Sequence, residues 1–257
     1  PVVVDAETTS LILGITVMYD SSSTTYTANQ ISSLVSTTIT NYNESFLKTF
    51  NAPFRHSKLL GLIDSTDTSI LNSVATVTLS KLFSPILSSS TSYIINLNNR
   101  FYNPHSAHNS DAGGIIASTG FYLNNVTTIE YFFDDDGSGN LRTYSLVAGV
   151  RTYVNNTAGT VDYVNGIITI GAIVITGVGS VDGITSSRVR ITAIPNSYDV
   201  TPVRNQILEI DITNSTVSSS VDAVTSTGVG YTTTTTSAGT TTTAVASVSS
   251  TPSSSAY

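Results

Sequence analysis

The sequence predicts an α+β fold: a small α/β layer, then an antiparallel all-β domain, then an extended Ser/Thr-rich tail. Three observations carry that prediction. Leu11, Leu13, Ile15, Val17 and Tyr19 alternate with Ile12, Gly14, Thr16, Met18 and Asp20, the period-two pattern of a half-buried strand. Ala28, Ile31, Val35, Ile39, Tyr42, Phe46 and Phe50 recur every three or four residues and form one apolar helix face. From Pro85 onward the chain breaks into short alternating runs bounded by turn residues. The expected boundaries are 1–84, 85–212 and 213–257.

The elements follow in order. Thr27 precedes Gln30 by three, the spacing of a capping box that satisfies two amides at a helix start. Tyr42, Phe46 and Phe50 are expected to pack inward. Asn51-Ala52-Pro53 breaks the helix, and Pro53 suits the first turn of a shorter second one with Phe54, Leu59, Leu60 and Ile63 buried. Val77, Leu79 and Phe83 then alternate as a return strand. Strand, helix, helix, strand makes a layer with helices on one sheet face.

Further strands are expected at 92–97, 121–125, 128–133, 141–146, 160–164, 167–175, 188–194 and 206–212. Asn165-Gly166 reads as a type I′ hairpin turn. Asp136-Gly137-Ser138-Gly139-Asn140 is a turn between strands, and Pro195 and Pro202 bracket an irregular corner. Beyond Asn214 the chain is mostly Ser, Thr, Val and Gly, with no Lys or Arg after Arg204. Few large apolar groups are available there. Its threonines and valines suit an extended strand laid against another subunit.

Composition narrows the function. Charged residues are 11% of the chain, against about 25% in an ordinary soluble domain, and Ser and Thr fill the gap. A free monomer keeps soluble through a mixed charged surface, so this composition fits either an uncharged, hydroxyl-rich secreted or β-rich surface or one covered by partners. The net charge of −7 argues against nucleic acid as a partner. No run approaches the roughly 18 apolar residues of a membrane-spanning helix. Cysteine is absent, which removes disulfides and thiolate metal sites. The chain opens at Pro1 without a basic n-region or signal-type apolar stretch, and Val2 to Ala6 reads as the interior of a longer polypeptide.

The segment 42–79 gathers His56, Ser57, Asp64, Asp67 and Ser69, the ingredients of a hydrolase. His56 and Ser57 are adjacent and cannot serve as each other's base and nucleophile; no Gly-x-Ser-x-Gly elbow exists. Ser45-Phe46-Leu47-Lys48 matches Ser-x-x-Lys, but the companion Lys-Thr-Gly and Ser-Asp-Asn elements are missing. Capping and turn roles suit Ser57, Asp64, Asp67 and Ser69 better. His105, His108 and Asp111 offer imidazoles and a carboxylate of the kind that bind zinc, within an irregular loop between Asn103-Pro104 and Gly113-Gly114. Asp134, Asp136 and Ser138 with Gly139 match the first half of a calcium loop, yet the twelfth position is Ser145 instead of Glu. Four Asn-x-Ser/Thr sequons begin at Asn43, Asn125, Asn155 and Asn214 and carry meaning only after secretion. No catalytic, cofactor-binding or metal-binding residue is assigned, and no enzyme or small-molecule substrate is expected.

Two blocks carry a resemblance. The first is Tyr42-Asn43 and Phe50-Asn51-Ala52-Pro53-Phe54-Arg55-His56-Ser57-Lys58-Leu59, then Ile63-Asp64, Asp67-Thr68-Ser69-Ile70-Leu71-Asn72 and Thr76-Val77-Thr78-Leu79. The second is 134–142, 159–168 and 199–208. Together they resemble the large baseplate wedge protein of contractile-tailed bacteriophages, in the baseplate J-like family and of the type found in myoviruses infecting cyanobacteria. The likeness is to its C-terminal region. It implies a non-enzymatic virion protein that pairs with other copies of itself and contacts other baseplate wedge and hub proteins, forming an inner ring around the hub. It implies location in the tail baseplate after assembly in the host cytoplasm. The residues alone also suit a secreted or surface-displayed adhesin-like β protein, on the hydroxyl-rich tail and the sequons.

Overall fold

The computed structural model of the chain describes residues 7–106, 114–181, 183–203, 206–222, 234–237 and 240–242. The described elements run β1 (Glu7–Tyr19), α1 (Ala28–Phe46), α2 (His56–Asp64), β2 (Ile70–Phe83), β3 (Ser90–Asn96), β4 (Ile116–Ser118), β5 (Phe121–Leu123) and β6 (Tyr131–Asp135). They continue as β7 (Asn140–Val147), β8 (Val150–Asp162), β9 (Ile167–Val178), β10 (Ser180–Val181), β11 (Ile184–Thr185) and β12 (Val189–Ala193). The last four are β13 (Gln206–Ile210), β14 (Thr216–Val221), β15 (Thr234–Ser237) and β16 (Thr240–Thr242). The fold is α+β, as the sequence predicts. Neither described helix is long and apolar enough to cross a membrane.

Two compact units divide the chain. One takes residues 12–48, 54–76 and the part from 209 on; the other takes residues up to 11, 49–53 and 77–208.

In the first unit, the inward residues of β1 (Leu13, Ile15, Val17) are buried together with Ile31, Val35 and Ile39 of α1. Thr27 and Gln30 close the capping box: the Thr27 amide donates to Gln30 Oε1 at 2.8 Å, and the Gln30 amide to Thr27 Oγ1 at 3.4 Å. Tyr42 meets Phe54 edge-on at 6.0 Å between ring centres, and its hydroxyl accepts from the Arg55 amide at 3.3 Å. β14 pairs with β1 in parallel, from Gly14↔Thr216 to Tyr19↔Val221. The first part of the Ser/Thr-rich tail therefore lies against β1 of its own chain, where a second subunit is the expected support. Its serines explain the fit: Ser219 Oγ meets Ser32 Oγ of α1 at 2.7 Å, and Ser215 Oγ accepts from the Leu13 amide at 3.0 Å.

Three expectations for this region are corrected. Phe46 and Phe50 are 44% and 58% exposed, and Leu47 is buried instead. Positive φ at Lys48 (52°) and Asn51 (62°) ends the helix at Phe46, so its periodicity cannot carry Phe50 inward. Pro53 lies outside α2, which starts at His56 after Arg55.

In the second unit, β12 pairs antiparallel with residues 79–83 of β2 on one side and with β4 on the other. A separate ladder runs β9–β5–β6–β7–β8 and returns to β9, closing a five-stranded barrel, with β3 added to β9. Closure pairs β8 with β9 over Gly159–Asp162, and the β7–β8 hairpin continues beyond that pairing. Phe121 and Phe133 stack at 4.5 Å inside it, among fully buried Leu141, Ile168, Ile170 and Ile175. Gly159 stands where β8 meets β9; a Cβ there would lie 2.0 Å from the Thr169 carbonyl oxygen.

One turn and one strand start differ from expectation. Asn165-Gly166 belongs to a longer loop between Asp162 and Ile167, with positive φ on Gly166 (68°) and not on Asn165. β8 starts at Val150, ten residues before the strand expected at 160–164. Its start is set by a two-residue turn at Ala148-Gly149, both at positive φ (50° and 79°). Alanine at the first turn position hides the Asn-Gly-type signal.

Candidate interaction surface

Of the residues that resemble a hydrolase, His56, Asp64 and Asp67 are engaged in local hydrogen bonds. His56 Nε2 is 2.9 Å from the Ala75 carbonyl oxygen. Asp64 Oδ1 accepts from Ser73 Oγ, and Asp67 Oδ1 accepts from the Ser69 amide at 2.9 Å and from its hydroxyl. Ser57 is exposed, and Lys48 is paired with Glu44 rather than turned to Ser45. No nucleophile–base–acid relay is assembled from these side chains.

His105 Nδ1 lies 3.2 Å from the Ser106 carbonyl oxygen, while His108 and Asp111 fall outside the described residues. Among the described residues no cluster of three His, Asp or Glu side chains is gathered for a metal. Asp136 serves its own turn: Oδ1 accepts from the Ser138 and Asn140 amides at 2.8 and 2.9 Å, and Oδ2 from Asn140 Nδ2 at 2.6 Å. Burial works against its charge, but these hydrogen bonds outweigh it and hold the carboxyl below the usual range. Asp134 and Asp135 are strand residues of β6 and face opposite ways.

Asp135 faces the barrel interior. Its Oδ1 accepts from the Ile115 and Ile116 amides at 2.7 and 2.9 Å, and its Oδ2 from the Tyr163 hydroxyl at 2.7 Å. Burial, and then this bond to a carboxylate, push the Tyr163 phenol far up. A Cβ on Gly114, at φ 69°, would collide with Asp135 Oδ1 at 1.8 Å. A cleft of about 460 Å³ beside Tyr163 includes Arg100, Asn103 and Asp162. Asp162 is occupied there by Asn165, whose amide and side chain it binds at 2.9 and 2.6 Å.

Asp134 faces the other way, under a cover of cations and rings. Arg142 Nε and Nη2 reach its two oxygens at 2.9 and 3.3 Å, Arg151 Nη1 reaches Oδ2 at 3.0 Å, and the Tyr153 hydroxyl donates to Oδ2 at 2.9 Å. The Arg142 guanidinium lies 4.3 Å from the Tyr153 ring centre and that of Arg151 lies 4.8 Å from Tyr144. Phe132 and Tyr144 stack at 5.5 Å, and Tyr144 tilts onto Tyr153 at 5.9 Å. The result is a layer of Arg and aromatic rings three strands wide, with Arg142 and Tyr144 buried in it and Arg151 39% exposed at its margin. Those residue types dominate interface energetics.

The hairpin of β7 and β8 runs on past this layer to its turn at Ala148-Gly149. Leu146, Val147, Val150 and Val154 near its tip are 52%, 59%, 67% and 55% exposed. Composition and motif searching pass over this arm because no residue in it matches a catalytic pattern. The available signal is the spacing: Arg142 and Tyr144, then Arg151 and Tyr153, each pair two apart and therefore on one strand face.

Comparison with known families places a match at one end of the chain. Residues 11–82 match the family model for the C-terminal domain III of baseplate structural protein gp6. That interval coincides with the strand–helix–helix–strand layer, and it supports a structural role in a phage tail baseplate. No curated protein matches the chain.

Proposed function

We propose that this chain is a structural component of a phage tail baseplate wedge, which pairs with further copies of itself and contacts other wedge and hub proteins to close an inner ring around the hub. It works by contact and not by catalysis. The observation that carries this reading is the family match over residues 11–82, which covers β1, α1, α2 and nearly all of β2. The side chains agree with it. His56, Asp64 and Asp67 hold turns and strand ends instead of facing a cleft together. A surface poor in charge and an arm with exposed aliphatic residues suit a protein that ends its life in contact with neighbours. Assembly takes place in the host cytoplasm before the particle leaves.

The test is location in the particle. Antibody raised against residues 11–82 should label the baseplate end of purified contractile-tailed particles, and the chain should remain with them through high-salt washing. Purified particles that lack the chain, with the chain on a cell surface or in the medium, overturn the reading.

A further inference from the structure

We propose that the outer edge of β8 over residues 150–156 is a strand-addition site for an extended, acidic segment of a different protein chain. This gives the contact-based role above a partner chemistry, and it rests on that role. The argument starts at the hairpin turn. With Ala148 and Gly149 both at positive φ, Val147 and Val150 form the hydrogen-bonded closing pair. Bonded and non-bonded pairs alternate along an antiparallel ladder. Ser145↔Thr152 is the next bonded pair, and Tyr144↔Tyr153 is not. The main-chain groups of Val150 and Thr152 therefore point to β7, and those of Tyr153 point to the outer margin. β9 meets β8 only from Gly159 to Asp162, so among the described residues no strand runs along 150–156.

Proteins blunt such edges with charged side chains, lysine above all, with proline, with bulges or with very short strands. This edge reads Val-Arg-Thr-Tyr-Val-Asn-Asn, with neither lysine nor proline and with several strong strand formers. Its one charged side chain, Arg151, is drawn across the face to Asp134. A shift in the ladder falls at Val154 and leaves 150–153 in regular register.

Charge selects the occupant. Residues 140–161 hold Arg142 and Arg151 and no Asp or Glu, in a chain whose net charge is −7. Arg142 is buried on Asp134, so the outward charge of this arm is that of Arg151, which is 39% exposed. A second arm of the same kind laid alongside would bring like charges together, which disfavours arm-to-arm pairing. An added strand with carboxylates on the Tyr153 side places them next to Arg151 in a charge-assisted contact.

The test uses the full chain and two fluorescein-labelled peptides of about eight residues, one alternating Val and Glu, the other Val and Lys. Binding is read by anisotropy, and amide hydrogen exchange reports the site. The Glu peptide should bind at least about tenfold tighter than the Lys peptide and should slow exchange at the Tyr153 amide. Arg151→Gln should weaken the Glu peptide about tenfold, and Arg151→Glu should reverse the preference. If Arg151→Glu fails to fold, Arg151→Gln and the exchange data decide. Equal binding of the two peptides, or an unchanged Tyr153 amide, overturns the proposal. So does slowing of that amide by raising the chain's own concentration, which makes a second copy the occupant. A negative particle label leaves a positive peptide result standing, so the two failures are distinguishable.

Discussion

The Asp134 carboxylate lies beneath the Arg142 guanidinium, 1% exposed against 10%, with Nε at 2.9 Å from Oδ1. Arg151 and Tyr153 add two more donors from the neighbouring strand. This one carboxylate ties β6, β7 and β8 together on the barrel's outer face.

Removing it should leave Arg142 buried without its counter-charge. Asp134→Ala is expected to cost about 3–5 kcal/mol in denaturant unfolding. Arg151→Ala, at the exposed end of the same cluster, should cost no more than about 1 kcal/mol. Equal losses for the two would mean that the carboxylate is not the keystone of the face.

The two phenylalanines of the helical layer should behave oppositely. Phe54 is fully buried against Tyr42, and Phe54→Ala is expected to cost about 3–5 kcal/mol. Phe46 is 44% exposed and sits between the Tyr42 ring and the Lys58 ammonium. Phe46→Ala should cost about 1 kcal/mol, by chemical denaturation of the full chain.

Barrel closure depends on a backbone approach. Gly159→Ala should cost at least about 2 kcal/mol, since its methyl group would meet the Thr169 carbonyl, which cannot swing aside without opening the β8–β9 pairing. Thermal unfolding of the variant reads the loss directly, and an unchanged midpoint would place β8 farther from β9.

The helix start offers a smaller, local test. Thr27→Ala removes the acceptor for the Gln30 amide and should cost about 1 kcal/mol. Circular dichroism during denaturation checks it.

Acid and alkali should act at separate places. The Asp136 carboxyl is held below its usual value, so its contribution is present above about pH 4 and is lost as the pH falls through the lower folded-state value. Asp136→Asn should flatten that part of the acid stability profile. The Tyr153 and Tyr163 phenols are raised, chiefly by burial and then by the carboxylates they bond. Their contribution is present below about pH 10 and is lost as the pH climbs through their higher folded-state values. Ultraviolet titration should show late-ionising tyrosines, and Tyr163→Phe should remove one of them.

Much of the architecture was legible because it depends on local alternation. The period-two run from Leu11, the capping box at Thr27 and the α1 face from Ala28 to Tyr42 all follow from neighbours along the chain. Phe46 and Phe50 misled because periodicity continues in the letters past the point where Lys48 and Asn51 turn the backbone. The start of β8 was hidden because Ala148-Gly149 is an unusual pair for a type I′ turn. The arginine–aromatic face shows in the sequence only as the two-residue spacing of Arg142 with Tyr144 and of Arg151 with Tyr153, since Asp134, Arg142 and Arg151 meet only after three strands come into register.

By itself, the sequence determined an α+β chain with a strand–helix–helix–strand layer, a β-rich remainder and a composition suited to contact with partners. Those properties arise from side-chain period and turn chemistry, which act over a few residues. Only the tertiary structure decided that the β-rich part closes as a five-stranded barrel, that Thr216–Val221 returns to β1, and that no strand among the described residues runs along 150–156 of β8. Strand pairing joins residues up to about two hundred positions apart, as in Gly14↔Thr216, and local pattern holds no record of which edges will meet.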